Sequence, residues 1–338
     1  MSILQENISL RPYNTFGIDV KARYFAEAKN VEDLVAIFKD PLSKSGPLLV
    51  LGGGSNMLFT QDFNGLVVKI SILGIRAVEN QDEIKVSAGG GVVWNDLVNY
   101  CVEHGFAGIE NLSLIPGTVG ASPIQNIGAY GVELKDVFDE CTAFEIETGK
   151  LSKFDYAACR FGYRDSIFKN ELKNKYIITE VRLKLNKKAK LQTKYGAISA
   201  ELERRHIVQP TIADISAVVS DIRVSKLPDP KTIGNAGSFF KNPVISKAQF
   251  EQVYQKFPEM VHYPAPDNQI KVAAGWLIEQ CGFKGKTVGE TGTWKNQALV
   301  LVNHGHASGQ EVYSFSEHII QTVQNRFGIL LEREVNIF

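Results

Sequence analysis

Cysteine is scarce in this chain, and its four copies lie far apart. Cys101, Cys141, Cys159 and Cys281 form no CxxC pair. They read as free, mostly buried thiols of a reducing compartment. The six histidines are also scattered, and the HGH triplet at 304–306 has no cysteine or carboxylate cluster beside it. It reads as a loop, so no metal is expected. No apolar run approaches the roughly 20 residues needed to cross a bilayer. The opening MSILQENISLRPYNTFG lacks the basic-then-apolar layout of a secretory signal, so a cytoplasmic location without membrane insertion is expected. Neither sign of charge prevails: Lys+Arg is 37 and Asp+Glu is 37. Broad attraction to nucleic acid is therefore not expected, although a zero total leaves room for a local basic pocket.

The 338 residues exceed a usual single core, which predicts two or three domains. There is no internal repeat and no low-complexity tract. VEDLVAIFKD (31–40) carries apolar residues at helical spacing. GPLLVLG (46–52), NGLVVKIS (64–71) and DEIKVSAGGG (82–91) read as strands, and VVWNDLVNYCVEHG (92–105) as a helix stopped by glycine. Alternation dominates from about 140 to 185, with TGK (148–150) as a hairpin turn. Helices are predicted within 193–208 and 214–230, the latter ended by Pro228 and Pro230. Further helices, the strand QALVLVN, and the closing ILLEREVNIF as a strand complete the chain. Strict βα alternation is missing, so the class is α+β.

Two familiar nucleotide motifs are also missing. No G-x-G-x-x-G opens a helix ahead of a downstream acid, and there is no G-x-x-x-x-G-K-[ST] loop. What the chain has instead is three glycine-rich stretches within 80 residues: LGGGSNML (51–58), SAGGGVVW (87–94) and IPGTVGASPIQNIGAYG (115–131). Any one of them is commonly a structural turn. Together they permit the close backbone approach that a long diphosphate ligand lying across several loops requires.

A fourth stretch, GNAGSFFKNP (234–243), places Ser238 after Gly234 and Gly237 and before two phenylalanines. Serine in such a setting is commonly a turn residue whose hydroxyl bonds nearby backbone. Taken with YNTFGI, LGGGSN, IPGTVGASPIQNIGAYG, FGYRDSIFK and RVSKLPDPKTIGNAGSFFKNP, it resembles the UDP-N-acetylenolpyruvylglucosamine reductase family, from about residue 10 to the C-terminus. The resemblance implies an FAD-binding fold of the vanillyl-alcohol-oxidase type. Its subdomains would be 1–72 with 328–338 and 73–222, beside a smaller α+β substrate domain, 223–327. FAD, bound tightly without a covalent link, would meet Gly52, Gly53, Gly54, Ser55, Asn56, Pro116, Gly117, Thr118, Gly120, Ala121, Gln125, Asn126, Gly128 and Ala129.

The implied reaction uses NADPH as co-substrate to reduce UDP-N-acetylglucosamine enolpyruvate to UDP-N-acetylmuramate, a peptidoglycan precursor. Hydride passes from flavin N5 to the vinyl carbon, leaving an enolate on the carboxylate side. Such a site needs donors aimed at developing charge and a proton source. The family pattern assigns the enolate to Arg164 and Glu334 and the proton to Ser238. Read without it, Arg164 is equally well a salt-bridging residue, and strand alternation leaves Glu332 and Glu334 on one face and undistinguished. A carboxylate beside an enolate must be protonated or share a proton. Substrate contacts fall on Tyr163, Tyr195, Arg223, Lys226, Asn242 and Gln297. Tyr263 and Lys271 match a segment that one class of these reductases has and another lacks. A monomer is expected. The alternatives are a different flavin oxidase on the same fold, a non-catalytic flavin or UDP-sugar sensor, and a redox-inert transferase.

Overall fold

A computed structural model describes residues 3–188 and 190–338. The chain forms two compact units. One comprises 1–8, 22–53 and 64–223, and the other 9–21, 54–63 and 224–338.

Among the described residues the first unit holds a four-stranded sheet, a five-stranded sheet and a short pair, Gly128–Ala129 with Val132–Glu133. In the four-stranded sheet Leu48–Leu51 runs parallel to Phe63–Ile70, pairing Leu48 with Leu66 and Leu51 with Lys69. Helix Val31–Lys39 covers it. Asn30 starts this helix by accepting a hydrogen bond from Asp33 N, and Leu34 and Ile37 are buried on the sheet side. The five-stranded sheet is centred on Tyr176–Asn186, which pairs antiparallel with both Phe138–Glu145 and Glu83–Gly89. The TGK turn joins Phe138–Glu145 to Leu151–Asp155 and is closed by Gly149 N donating to Glu145 O. Helix Trp94–Glu103 buries Trp94, Leu97, Val98 and Cys101 in the core of this sheet. Helices Gly196–Arg204 and Ile212–Lys226 share a small core of Ile198, Leu202, Ile215, Val218, Val219 and Ile222.

In the second unit, strands Gly234–Ser238, Gln297–Asn303, Thr291–Trp294 and Thr287–Val288 form one sheet in that order. A nineteen-residue helix, Gly309–Phe327, opens on a capping box between Ser308 and Glu311 and ends at left-handed Gly328. A three-stranded sheet places Gln269–Val272 between Val244–Ser246 and His262–Pro264.

The chain's last segment departs from the continuous strand expected of it. It makes a single bridge, Arg333 with Phe240, and then a two-residue parallel strand, Asn336–Ile337, against Met57–Leu58. Two short partners on different stretches of chain replace one long one, so the ladder breaks between them. The four cysteines are free, with Cys101, Cys141 and Cys159 buried. Burial pushes the Cys101 thiol up to about 12, which keeps it protonated and inert.

Candidate active site

In the first unit the glycine loops meet backbone to backbone. A Cβ on Gly53 would stand 2.7 Å from Gly117 Cα, which cannot yield, so only glycine permits this approach. Thr118 is buried, and its Oγ1 has no hydrogen-bond partner among the described residues. It lies over Gly52, where a Cβ would come within 2.5 Å of it. The 117–120 stretch is strapped to its neighbour by Trp94 N donating to Gly117 O, Val119 N to Val92 O and Gly120 N to Gly90 O. Pro116 is exposed, whereas Ala121, Gln125, Gly128 and Ala129 are half-buried.

Asn126 is fully buried and uses its side chain inside the protein. Its Oδ1 accepts from Lys135 N, and its Nδ2 donates to Gly162 O at 2.9 Å and to Glu133 Oε2 at 3.3 Å. That leaves the backbone as its means of touching a ligand. Arg164 takes a left-handed φ of 55°. Its Nη2 donates to Gly128 O at 2.6 Å and its Nη1 to Asn126 O at 3.4 Å. Glu133 Oε1 is 3.9 Å from Nη1, and the Tyr163 ring lies 5.4 Å below the guanidinium carbon. The neighbouring Asp165 accepts from Asn170. Two neutral carbonyls are thus among the groups that hold the fork.

Arg223 makes a second basic point in this unit. Its Nε is buried without a partner, while Tyr130 hydrogen-bonds its guanidinium. Burial lowers the Arg223 pKa, and Tyr130 opposes that shift. Burial likewise raises the Tyr130 phenol. The ring of Tyr195 stands edge-on to Tyr130 at 5.4 Å. Tyr195 and Arg223, far apart in sequence, are therefore joined through Tyr130, which sequence reasoning passed over as part of a glycine loop.

In the second unit Ser238 ends its strand opposite Val300 and is exposed, while Phe239 and Phe240 are buried. The ladder shifts register between Asn235 and Ser238, a bulge that re-aims the serine. Gly237 adopts φ 68°, and its N–H donates to Asn235 Oδ1. Asn235 is buried and anchored in turn to Pro228 O and Ile233 O. An asparagine between two glycines was the signal for this bulge.

The C-terminal segment runs beside it. Glu334 N donates to Phe239 O and Lys241 N to Glu332 O. The two glutamates that alternation left equal now differ: Glu332 is exposed and pairs with Lys241 at 3.0 Å, while Glu334 is half-buried. Asn56 Nδ2 donates to Glu334 O, and Asn336 Nδ2 donates to Asn56 O. Gly54, by contrast, accepts from Thr15 N, and Ser55 is half-buried.

Tyr263 and Lys271 are direct cross-strand partners, so their side chains leave the sheet on one face. Asn242 Oδ1 accepts from Ala274 N, the first residue of helix Ala274–Gln280, and Gln297 Oε1 accepts from Leu299 N. Lys226 is exposed at the end of its helix.

Comparison with known proteins gives this arrangement a context. Residues 22–154 match the FAD binding domain family, and residues 229–338 match the C-terminal domain of UDP-N-acetylenolpyruvoylglucosamine reductase. A protein of that name from Flavobacterium johnsoniae is 51% identical over 99% of both chains. Another, from Pseudomonas aeruginosa, is 50% identical over the same share. A crystal structure of the Thermus caldophilus reductase shares the fold at 23% identity, with a TM-score of 0.67 and 99% of each chain covered. The chain belongs to the UDP-N-acetylenolpyruvoylglucosamine reductase family, whose members are flavin-dependent oxidoreductases on the vanillyl-alcohol-oxidase type of FAD-binding fold.

Proposed function

We propose that the chain reduces UDP-N-acetylglucosamine enolpyruvate to UDP-N-acetylmuramate with NADPH, for peptidoglycan precursor synthesis. The observation that supports the mechanism is the backbone bond from Glu334 N to Phe239 O, which brings the segment carrying the half-buried Glu334 alongside the one carrying the exposed Ser238. The residues expected around FAD fit a diphosphate-bearing ligand. Gly53 and Gly117 bring two loop backbones into a contact that any Cβ would block, and among the described residues the buried Thr118 hydroxyl has no partner. Gly52, Gly53, Gly117, Thr118 and Gly120 would hold FAD, with Gly54, Ser55 and Asn56 continuing the same loop. Bound there, FAD would supply the redox chemistry that links NADPH to the vinyl carbon.

The chain's own residues do the rest. Arg164 presents a planar fork to the enolised carboxylate and stays charged. Glu334, protonated at that moment, donates to the same oxygen. Ser238 gives its proton to the adjacent carbon, with Lys226 or a water supporting a hydroxyl that is a poor acid by itself. Lys226, Arg223, Tyr195, Asn242, Gln297, Tyr263 and Lys271 bind the sugar nucleotide. The subdomain division at residues 72, 222 and 327, a monomeric state and a cytoplasmic location belong to the same proposal. Among the described residues no helix is long and apolar enough to cross a membrane.

The test is steady-state turnover without oxygen. NADPH oxidation is expected to require the enolpyruvyl UDP-sugar and to yield the lactyl ether in equal amount. NADPH oxidation indifferent to that sugar would remove this reading and favour an oxidase.

A further inference from the structure

Among the largely apolar side chains of Phe63–Ile70, all buried from Gly65 to Val68, Lys69 stands out. Lys69 is half-buried on the strand that pairs with Leu48–Leu51, directly opposite Leu51. The ladder stops at that pair, and the next peptide belongs to the glycine loop. Lys69 Nζ reaches forward and donates to Gly52 O at 2.6 Å. Burial lowers the Lys69 pKa and Glu27 raises it, so the ammonium stands at some cost in desolvation.

We infer that Lys69 is a positioning residue for the cofactor diphosphate, acting through the Gly52–Gly53 peptide. This rests on the reading that the loop at Gly52–Gly53, with Gly117 and Thr118, holds FAD. A trans peptide is planar, so pinning the Gly52 carbonyl fixes the direction of the Gly53 N–H on the other edge. A charge-assisted bond to the carbonyl holds it about twice as strongly as a neutral donor would. It also polarises the amide, which makes the Gly53 N–H a better donor to an anion. Gly52 lies under the partnerless Thr118 hydroxyl, and Gly53 packs on Gly117. A shift of this one peptide therefore disturbs both its contact with Thr118 and its contact with Gly117. The ammonium, one peptide away, adds attraction for a phosphate that no neutral residue supplies.

The inference is tested by titrating flavins into full-length apoprotein and following flavin fluorescence. Lys69→Met is expected to weaken FAD binding about tenfold, the effect of losing a well-placed charged donor. Riboflavin, which has no phosphate, should bind the variant and the wild type alike. Lys69→Arg should restore FAD affinity, and FAD affinity of Lys69→Met should respond less to added salt. Unchanged FAD affinity in Lys69→Met overturns the inference. So does an equal loss of FAD and riboflavin, because Lys69 would then support only the fold. Wild-type apoprotein that takes up no FAD overturns the cofactor reading, and this inference with it.

Discussion

Ser238→Ala protein is expected to be bleached by NADPH at close to the wild-type rate, yet to regain its yellow colour on the enolpyruvyl UDP-sugar about 10²–10⁴-fold more slowly. That factor is the usual reach of a positioned proton donor. In the proposed mechanism flavin reduction needs no proton from the serine, whereas formation of the new C–H bond beside the carboxylate does. The fold is expected to tolerate the change, because Ser238 is exposed while the adjacent Phe239 and Phe240 carry the packing. A surface substitution of this kind costs within about 0.5 kcal/mol of stability. The bulge that presents the hydroxyl is set by Asn235 and Gly237 and remains. Anaerobic stopped-flow measurement of the two half-reactions checks this. Equal slowing of both would return Ser238 to the role of a turn residue.

Arg164→Lys comes second in size. The charge is kept, but the fork anchored on Gly128 O and Asn126 O is lost, and a lysine cannot offer two parallel donors to a carboxylate. Flavin reoxidation is expected to slow about 10²–10³-fold, the usual effect of removing one donor to a developing oxyanion. Backbone strain does not confound the comparison, since the left-handed φ of 55° burdens lysine and arginine alike. Reoxidation at the wild-type rate in Arg164→Lys would mean that the fork serves structure, holding the glycine loop to the Tyr163 segment.

Much of this was legible in the sequence. Periodicity marked helices within 31–40, 92–105 and GQEVYSFSEHIIQTVQNRFG, and the structure has them at 31–39, 94–103 and 309–327. The strands before the first two glycine stretches were equally plain. The broken C-terminal strand was not, since period-2 alternation says that a segment is extended but not how many partners share it. For the same reason Glu332 and Glu334 could not be told apart until Lys241 was seen paired with the first. Tyr130, Asn235 and Lys69 were missed for a different reason. Each acts on a residue already singled out, namely Arg223, Gly237 and Gly52, and such support depends on contacts between side chain and neighbour that spacing does not encode. Lys69 left a trace, a charge in a largely apolar strand sequence, as Asn235 did between its two glycines.

The central claim is that reduced protein hands its electrons to an enol ether with this chain's residues completing the reaction. The most direct measurement reduces the flavin anaerobically and titrates in the enolpyruvyl UDP-sugar, following absorbance and product together. One equivalent of sugar is expected to restore the full flavin absorbance and to appear as one equivalent of UDP-N-acetylmuramate. Flavin that stays bleached until oxygen is admitted, with the sugar recovered unchanged, would contradict it.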